Sequence, residues 1–560
     1  MPRRLALHLL LPSLLLLLLL HIHPSASSTP HLPPPPITRL AFGSCNKQGS
    51  AQPLWEHVLA FDPQAWLWTG DSVYAKTHGW NVSALEVAYA QQRRRAGYAQ
   101  LLERGTVVDG VFDDHDLGMN DAGGGHPILA ESRRCFLDFL GTPAGSPRRR
   151  RPGMYGARTL GGGAASSPQQ PLPPLVLPPP QQQPPQPQVK VLFLDVRSQR
   201  GEYAIPHLPE SVPLSAVFNA LLRMVSWHSG LSSASREDML GEEQWRWLEE
   251  ELRGGRGGEG NGAEGRGNGD NASVHLLVST VQVLTRNPFV ESWLHFPRSK
   301  ARLLRLLLKY RPSGLLLLSG DVHFAELTGG RGDEEALEVT SSGMTHSCSS
   351  AWYGFLCTLV MNAYHSHRVR PDATYSHLNY GEATFDWGTA EGSGGSGSGD
   401  RDGHGGGDGS GDGNSNSDGS GGTETAAATA ASTSSTTAST TTSGEGRFDY
   451  MIRVRDQARR EVLSVHRRSH PREHDDRWWR QLERELEATV REEDLNEGVG
   501  WEGTQRTQNL ALLAGAGLTS VVLALLLACH MCVAMCGGCW RRAFGVVGRM
   551  RGGGAREKIA

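Results

Sequence analysis

The chain has 560 residues, enough for two or three average domains, but its 68 glycines and 32 prolines are concentrated in a few stretches that cannot build a core. A formal net charge of −3 implies neither a nucleic acid as a stable partner nor an acidic polymer, and leaves oligomeric state open.

In chain order, residues 1–27 read as a signal peptide: Arg3 and Arg4, a run of nearly continuous leucine at 9–20, then small residues near 25–28. That run falls short of the ~20 residues needed to span a bilayer. Strand patterns come next at 37–42 and Ala65–Thr69, then a helical pattern over 82–102 and a strand over 106–112. Residues 146–188 pass from arginines into a Pro/Gln tract, interrupted by an apolar patch at 154–160. Its part 161–188 is expected to be a disordered insertion, as is the Gly-rich stretch 254–270. Between and after these lie strands at Val189–Leu194, 273–283, 314–318 and 337–340, with helices at 242–252 and 298–310. This alternation predicts an α/β layered domain.

Residues 389–447, Gly/Asp/Ser and then Thr/Ala/Ser, form a third insertion, and a strand pair in 448–466 is expected to close a sheet edge. Residues 475–509 begin with a charged helix read as a stalk. The apolar segment 510–535 is long enough to cross a membrane, and the tail 536–560 carries Arg541, Arg542, Arg549, Arg551, Arg556 and Lys558. The expected topology is single-pass type I, with residues 28–509 lumenal or extracellular. A glycolipid-anchor signal would end in its apolar tail, and this one ends in a basic one.

Cys529, Cys532, Cys536 and Cys539 sit at the inner end of the apolar segment and read as palmitoylation sites or helix surface before zinc pairs. Cys45, Cys135, Cys348 and Cys357 would ordinarily make two disulfides. Alternatively, Cys348 and Cys357 pair, Cys135 stays in its amphipathic helix, and Cys45 serves as a metal thiolate. Asn81-Val82-Ser83 and Asn271-Ala272-Ser273 are glycosylation sequons.

The residues just past each strand carry the chemistry. The 37–42 strand runs into Gly43-Ser44-Cys45-Asn46, and the next into Gly70-Asp71-Ser72-Val73-Tyr74. The 106–112 strand leads into Asp113-Asp114-His115-Asp116 and on to Asn120-Asp121. The later ends carry Ser319-Gly320-Asp321-Val322-His323 and Ser341-Ser342-Gly343-Met344-Thr345-His346. Ligands of α/β sheets bind outside the carboxyl ends of strands, and these side chains are donors that a divalent or trivalent metal accepts. A Gly-Asp after a strand is often only a turn; five such ends together point to a metal site.

These runs, with Val191-Leu192-Phe193-Leu194-Asp195-Val196-Arg197 and Leu240-Gly241-Glu242-Glu243-Gln244-Trp245, resemble the PhoD-like alkaline phosphatases over residues 37–388. The resemblance implies a metallophosphatase-type four-layer α/β sandwich with two mixed sheets, here joined to one C-terminal transmembrane helix. It implies a centre of iron with calcium, other divalent metals being possible, acting on a phosphate-ester substrate, mono- or diester. By position Cys45, Asp71, Tyr74, Asn120, Asp321 and His323 would be metal ligands, with Asp71 bridging. Asp114 and His115 would lie beside the reacting phosphate, Arg197 would bind its oxygens, and His346 would be a further site residue. His115 is the candidate acid for the leaving oxygen. Phe112, Leu117 and Met119 depart from the aromatic residues common in the family, so the site wall is expected to differ. The family's frequent N-terminal β-sandwich domain has no counterpart in the short stretch before residue 37. The rival reading is a non-catalytic cell-surface interaction protein on a phosphatase scaffold, with Arg331-Gly332-Asp333 as an adhesion-like tripeptide.

Overall fold

The computed structural model describes residues 35–77, 80–161, 187–209, 212, 214–254, 273–331, 335–350, 354–387, 449–468 and 473–497. The expected signal peptide, the insertions 161–188, 254–270 and 389–447 for all but their outermost residues, the transmembrane segment and the basic tail lie outside these. Among the described residues no helix is long and apolar enough to cross a membrane.

Thirteen strands are described: β1 (Arg39–Gly43), β2 (Ala65–Thr69), β3 (Val107–Val111), β4 (Gly156–Leu160), β5 (Val189–Leu194), β6 (Val274–Ser279), β7 (Leu316–Ser319), β8 (Ala325–Gly329), β9 (Ala336–Ser341), β10 (Thr374–Tyr375), β11 (Asn379–Asp386), β12 (Asp449–Asp456) and β13 (Glu461–Arg468). They form two mixed sheets, ordered β13-β12-β11-β1-β2-β3 and β10-β8-β9-β7-β6-β5-β4. The parallel strands are β1, β2 and β3 in the first sheet and β5, β6, β7 and β9 in the second. Their carboxyl ends therefore share one end of the sandwich.

The second sheet is buried on both faces, and alternation sorts its side chains into two cores. Val191, Phe193, Leu276, Val278, Leu316, Leu318 and Val339 pack toward the first sheet. Leu192, Leu194, Leu277, Leu317 and Leu337 pack outward, against Trp245 and Leu248 of helix Glu242–Gly254 and Leu303, Leu304 and Leu307 of helix Pro297–Tyr310. On the first sheet's outer face, Trp66 and Trp68 meet Trp55 of helix Leu54–Phe61 and Tyr98 of helix Ala96–Glu103, with Trp55 and Trp66 centroids 4.7 Å apart. Each such buried aromatic contributes about 1.5–3 kcal/mol. The layers thus run helix, sheet, sheet, helix.

Four expectations need correction. The helical pattern over 82–102 is two helices, Val82–Arg93 and Ala96–Glu103. Arg95 takes an extended backbone between them because its guanidinium donates to the Gln48 and Ser50 carbonyls at 2.6 and 2.9 Å. Residues 146–160, grouped with a disordered tract, are ordered: Arg148 is buried against Asp109 at 2.7 Å, and 156–160 forms β4. The strand over 273–283 stops at Ser279, where the Thr280 hydroxyl turns to Asp113. Finally, the charged helix Glu473–Glu497 is docked rather than a free stalk. Trp478, Trp479 and Leu482 enter the outer core, and Glu485 bonds Arg286 at 3.2 Å. The Leu482 face was hidden in the sequence by surrounding charges.

Candidate metal centre

The site is built by backbone that ordinary residues avoid. Cys45, Asp71, Asp321 and His323 all have positive φ, at 59°, 48°, 67° and 61°. For side chains other than glycine this costs of order 1–2 kcal/mol each, and such strain persists where the surroundings over-determine it, as at functional sites. Two glycines let the loops converge. A Cβ on Gly70, at φ +103°, would lie 2.8 Å from the Asp113 Cβ, and one on Gly320 would lie 2.4 Å from the Ser44 Oγ and 2.6 Å from the Thr69 carbonyl. The β7 loop of one sheet therefore reaches the β1 and β2 loops of the other.

Side chains from five strand ends meet there. The Cys45 Sγ lies 3.6 Å from Asp71 Oδ2 and 3.0 Å from the Ser342 hydroxyl. The Tyr74 hydroxyl donates to Asp71 Oδ2 at 2.7 Å and lies 3.1 Å from His323 Nε2, which is 3.2 Å from His346 Nε2. Cys45, Asp71 and His323 offer one ligand atom each within 4.8 Å of one another, and so do Asp71, Asp113, Asp114 and Asp321. Asp71 belongs to both sets. The His115 amide donates to the other Asp71 oxygen at 3.2 Å.

Without a cation the cluster is electrostatically unbalanced. Burial, then Asp114 and Asp113, pushes the Asp71 carboxyl well above the carboxylate range. Burial and then Asp113 do the same to Asp321. The Cys45 thiol is raised by burial and by Asp71, and the Tyr74 phenol likewise. Asp113 is pushed up to about 7 by burial, against the pull of Arg197. Asp114 alone stays low: burial opposes it, but His115 and Arg197 prevail. Burial and His115 bring His323 down to about 3, the neutral form that can ligate. Like charges this close are relieved either by protonation or by a cation between them. Thiol, phenol, imidazole and carboxylate donors together with the Asp113 Oδ2, buried and without a hydrogen-bond partner, fit a metal ion.

The sequence-expected residues fall into three groups. Cys45, Asp71, Tyr74, Asp321 and His323, with Asp114, His115 and His346, converge. Asn120, with Tyr74, His115, His323 and His346, lines a cavity of about 530 Å³. Arg197 lies behind the acids and does not line the cavity. It is wholly buried, with Nε bonded to Asp113 and Nη1 to Glu291 at 2.7 Å. Its Nη2 has no hydrogen bond and sits 3.9 Å from both Asp114 and Asp321. The geometry makes it an internal counter-charge. Asp116, part of the same acidic run, turns inward and accepts from the Ser72 hydroxyl at 2.7 Å and the Asp113 amide at 3.0 Å, bracing the two loops.

Sequence reading missed Glu291, Ser342, Lys47 and Lys76. The two lysines line the cavity wall; only loop position, which has no periodic signal, would have found them. Cys348 and Cys357 are joined by a disulfide, and Cys45 and Cys135 are free and buried.

Neither a family model nor a curated protein matches this sequence. Among solved structures, one titled "Structure of PhoD" aligns with 82% of this chain and 79% of its own at 12% identity, with a TM-score of 0.40. The chain is similar to PhoD in structure.

Proposed function

We propose that this chain is a metal-dependent phosphate-ester hydrolase, a PhoD-like metallophosphatase or phosphodiesterase. The observation that carries the reading is the pair of ligand sets sharing Asp71 at the joined carboxyl ends of two sheets. A bound metal supplies charge that polarises a phosphoryl oxygen and lowers the pKa of a water. Iron with calcium is the proposed pairing, favoured by a thiol and a phenol beside hard carboxylates. The Tyr74 hydroxyl, 2.7 Å from Asp71 Oδ2, is placed to join the same ligand set once deprotonated. Lys47 and Lys76 in the cavity wall attract an anionic ester, and His115 faces the same space to hold a proton for the leaving oxygen. Arg197 keeps the acids of the floor in place and tempers their repulsion. The lysines act at the mouth, where the sequence resemblance had assigned phosphate binding to Arg197.

The proposed setting is the lumenal or extracellular side of a membrane, with residues 510–535 as a type I anchor and residues 1–27 as a signal peptide. The test is metal analysis of purified protein, followed by a panel of phosphate monoesters and diesters. Stoichiometric metal with ester turnover supports the reading. Metal-free protein that turns over no ester after reconstitution would leave the non-catalytic interaction reading in its place.

A further inference from the structure

Helix Ser215–His228 stands beside the cavity, with Ser215 and Ala216 in its wall, and its amphipathicity is inverted. Its buried residues are Asn219 and Ser226. Asn219 accepts from the Leu208 amide at 2.7 Å and donates to Asp121 at 3.2 Å; Arg223, one turn on, pairs with Asp121 at 3.3 Å. Ser226 bonds Ser232 at 2.8 Å. The spacing 219, 223, 226 puts these on one face, turned into the protein. Val217, Phe218, Leu221, Leu222 and Val225 are left only half-buried on the rest. A helix of a water-soluble surface has the opposite arrangement.

The exposed apolar residues are not scattered. All six large hydrophobics exposed among the described residues lie in segments that come after the carboxyl ends of β2, β5 and β9: Trp80, Val87, Leu208, Leu214, Leu231 and Leu359. That is the end of the sandwich where the cavity opens, and Lys47 and Lys76 stand in the cavity wall there. Large apolar side chains left exposed beside a cavity, with Leu214 next to Ser215 of its wall, mark an interaction site.

The path of the chain says what meets it. Helix Glu473–Glu497 begins at the opposite end, where Arg311, just before β7, covers Trp479 and pairs with Glu483 at 3.3 Å. It runs antiparallel to helix Pro297–Tyr310 and comes to pack on the short helix Leu231–Ala234, which directly succeeds the inverted helix. From Glu483 to Glu497 it climbs about 21 Å toward the cavity end. Twelve residues separate its end from the 26-residue apolar segment 510–535, a reach of at most ~47 Å. Helix Glu473–Glu497 thus ends on the side of the cavity and the apolar rim, and the proposed anchor follows it in the chain.

We infer that this rim docks on the lipid bilayer and that the substrate is a phosphate ester carried on a lipid headgroup, presented to the cavity at the membrane surface. The inference rests on the proposed hydrolase and anchor, and its test separates the three. The full chain is reconstituted in phosphatidylcholine vesicles containing phosphatidic acid, a lipid monoester, or phosphatidylglycerol, a diester. Tryptophan quenching by acyl-brominated phosphatidylcholine is measured for the wild type and for Trp80→Phe. Hydrolysis of lipid is compared with that of p-nitrophenyl phosphate and bis(p-nitrophenyl) phosphate for wild type and for the triple variant Leu208→Ser, Leu214→Ser, Leu231→Ser. We expect quenching that Trp80→Phe reduces, and lipid hydrolysis about tenfold lower in the triple variant with soluble-ester turnover within about twofold of wild type. Quenching indifferent to Trp80, lipid turnover untouched by the triple variant, or an equal loss on soluble esters would each overturn the docking. So would a triple variant that instead dissociates a dimer, assigning the rim to a second copy. If metal-loaded wild type hydrolyses neither soluble ester, the hydrolase reading and the lipid-ester substrate both fail, and the quenching then decides the docking alone. Failure of the chain to remain with the vesicles would refute the anchor.

Discussion

Two buried acidic sites among the described residues differ in charge balance. On β8, Glu326 is matched by Arg368, which bonds one oxygen, and by His367, 3.1 Å from the other, with Gln282 donating at 2.8 Å. Burial opposes its ionisation, but His367 and Arg368 hold its carboxyl below the usual range. At the strand ends, Asp71, Asp113, Asp114 and Asp321 share a single buried guanidinium, Arg197, and three of the four are pushed upward. Buried acids alone therefore do not mark a cation site. An internal shortage of positive charge does, and here it coincides with four residues at positive φ.

The largest effect should come from Asp71, common to both ligand sets. Asp71→Asn is expected to lose metal and to lower turnover by ~10³-fold or more, read by metal analysis and kcat on a soluble ester. Wild-type kcat with bound metal would sink the assignment. Glu326→Gln should leave metal binding intact but cost about 3–5 kcal/mol of stability, because Arg368 and His367 stay buried without their partner. Denaturant unfolding checks this, and in metal-free protein Asp71→Asn should cost nothing or stabilise. Equal losses in the two variants would erase the contrast.

The clusters should also titrate with opposite sign. A carboxyl raised in the folded state contributes stability below its unfolded pKa of about 4 and loses it as pH rises through the folded value. With Asp113 at about 7 and Asp116 at about 6, metal-free protein should weaken between about pH 4 and 7. Added metal should remove that slope. Glu326 is depressed instead, so its contribution is present above about pH 4 and is lost as pH falls further. Unfolding midpoints across pH, with and without chelator, distinguish the two; a metal-independent profile would count against the site.

A smaller readout is thiol chemistry. Cys45 should be unreactive in metal-loaded protein, become alkylated after chelation and mild unfolding, and never appear in a disulfide, whereas Cys348 and Cys357 should map as a pair. Peptide mass mapping decides it. The smallest effect concerns residues 389–447. Asp386 and Asp449, on either side, are directly paired across β11 and β12, so a two- to four-residue Gly/Ser connection can close the hairpin. Replacing the segment should leave kcat/KM within about threefold, since loop closure depends weakly on length. A collapse would show that the segment belongs to the domain.

Much of this was legible in the residues. The apolar runs at Ala65–Thr69 and Val189–Leu194 became strands with those bounds, because four to six consecutive apolar residues bounded by Gly, Asp or Pro have few alternatives. Helix Pro297–Tyr310 was equally plain from its leucines. The strand ends pointed to a metal site because side chains just past the ends of parallel strands gather at one end, and the family resemblance singled out Cys45, Asp71, Tyr74, Asp321 and His323, which do meet there. Strands β4, β8, β10 and β11 were missed, and two of them, β4 and β8, have a plain local cause. The first is short and lies beside a proline tract, and the second reads as a continuation of the loop after His323.

What the sequence by itself determined is most of the parallel strands and the chemical kind of the site, because period and residue type act locally. Only the tertiary structure decided which acids compete and which are matched. Asp113, Asp114 and Asp116 are equivalent in sequence, yet one is tied to Arg197, one faces the cation site and one braces a loop. The same holds for Arg197, whose guanidinium lies behind the acids and not in the cavity, and for Lys47 and Lys76, which are in its wall. Electrostatic roles depend on distances between segments far apart in the chain, and those exist only once the two sheets have packed.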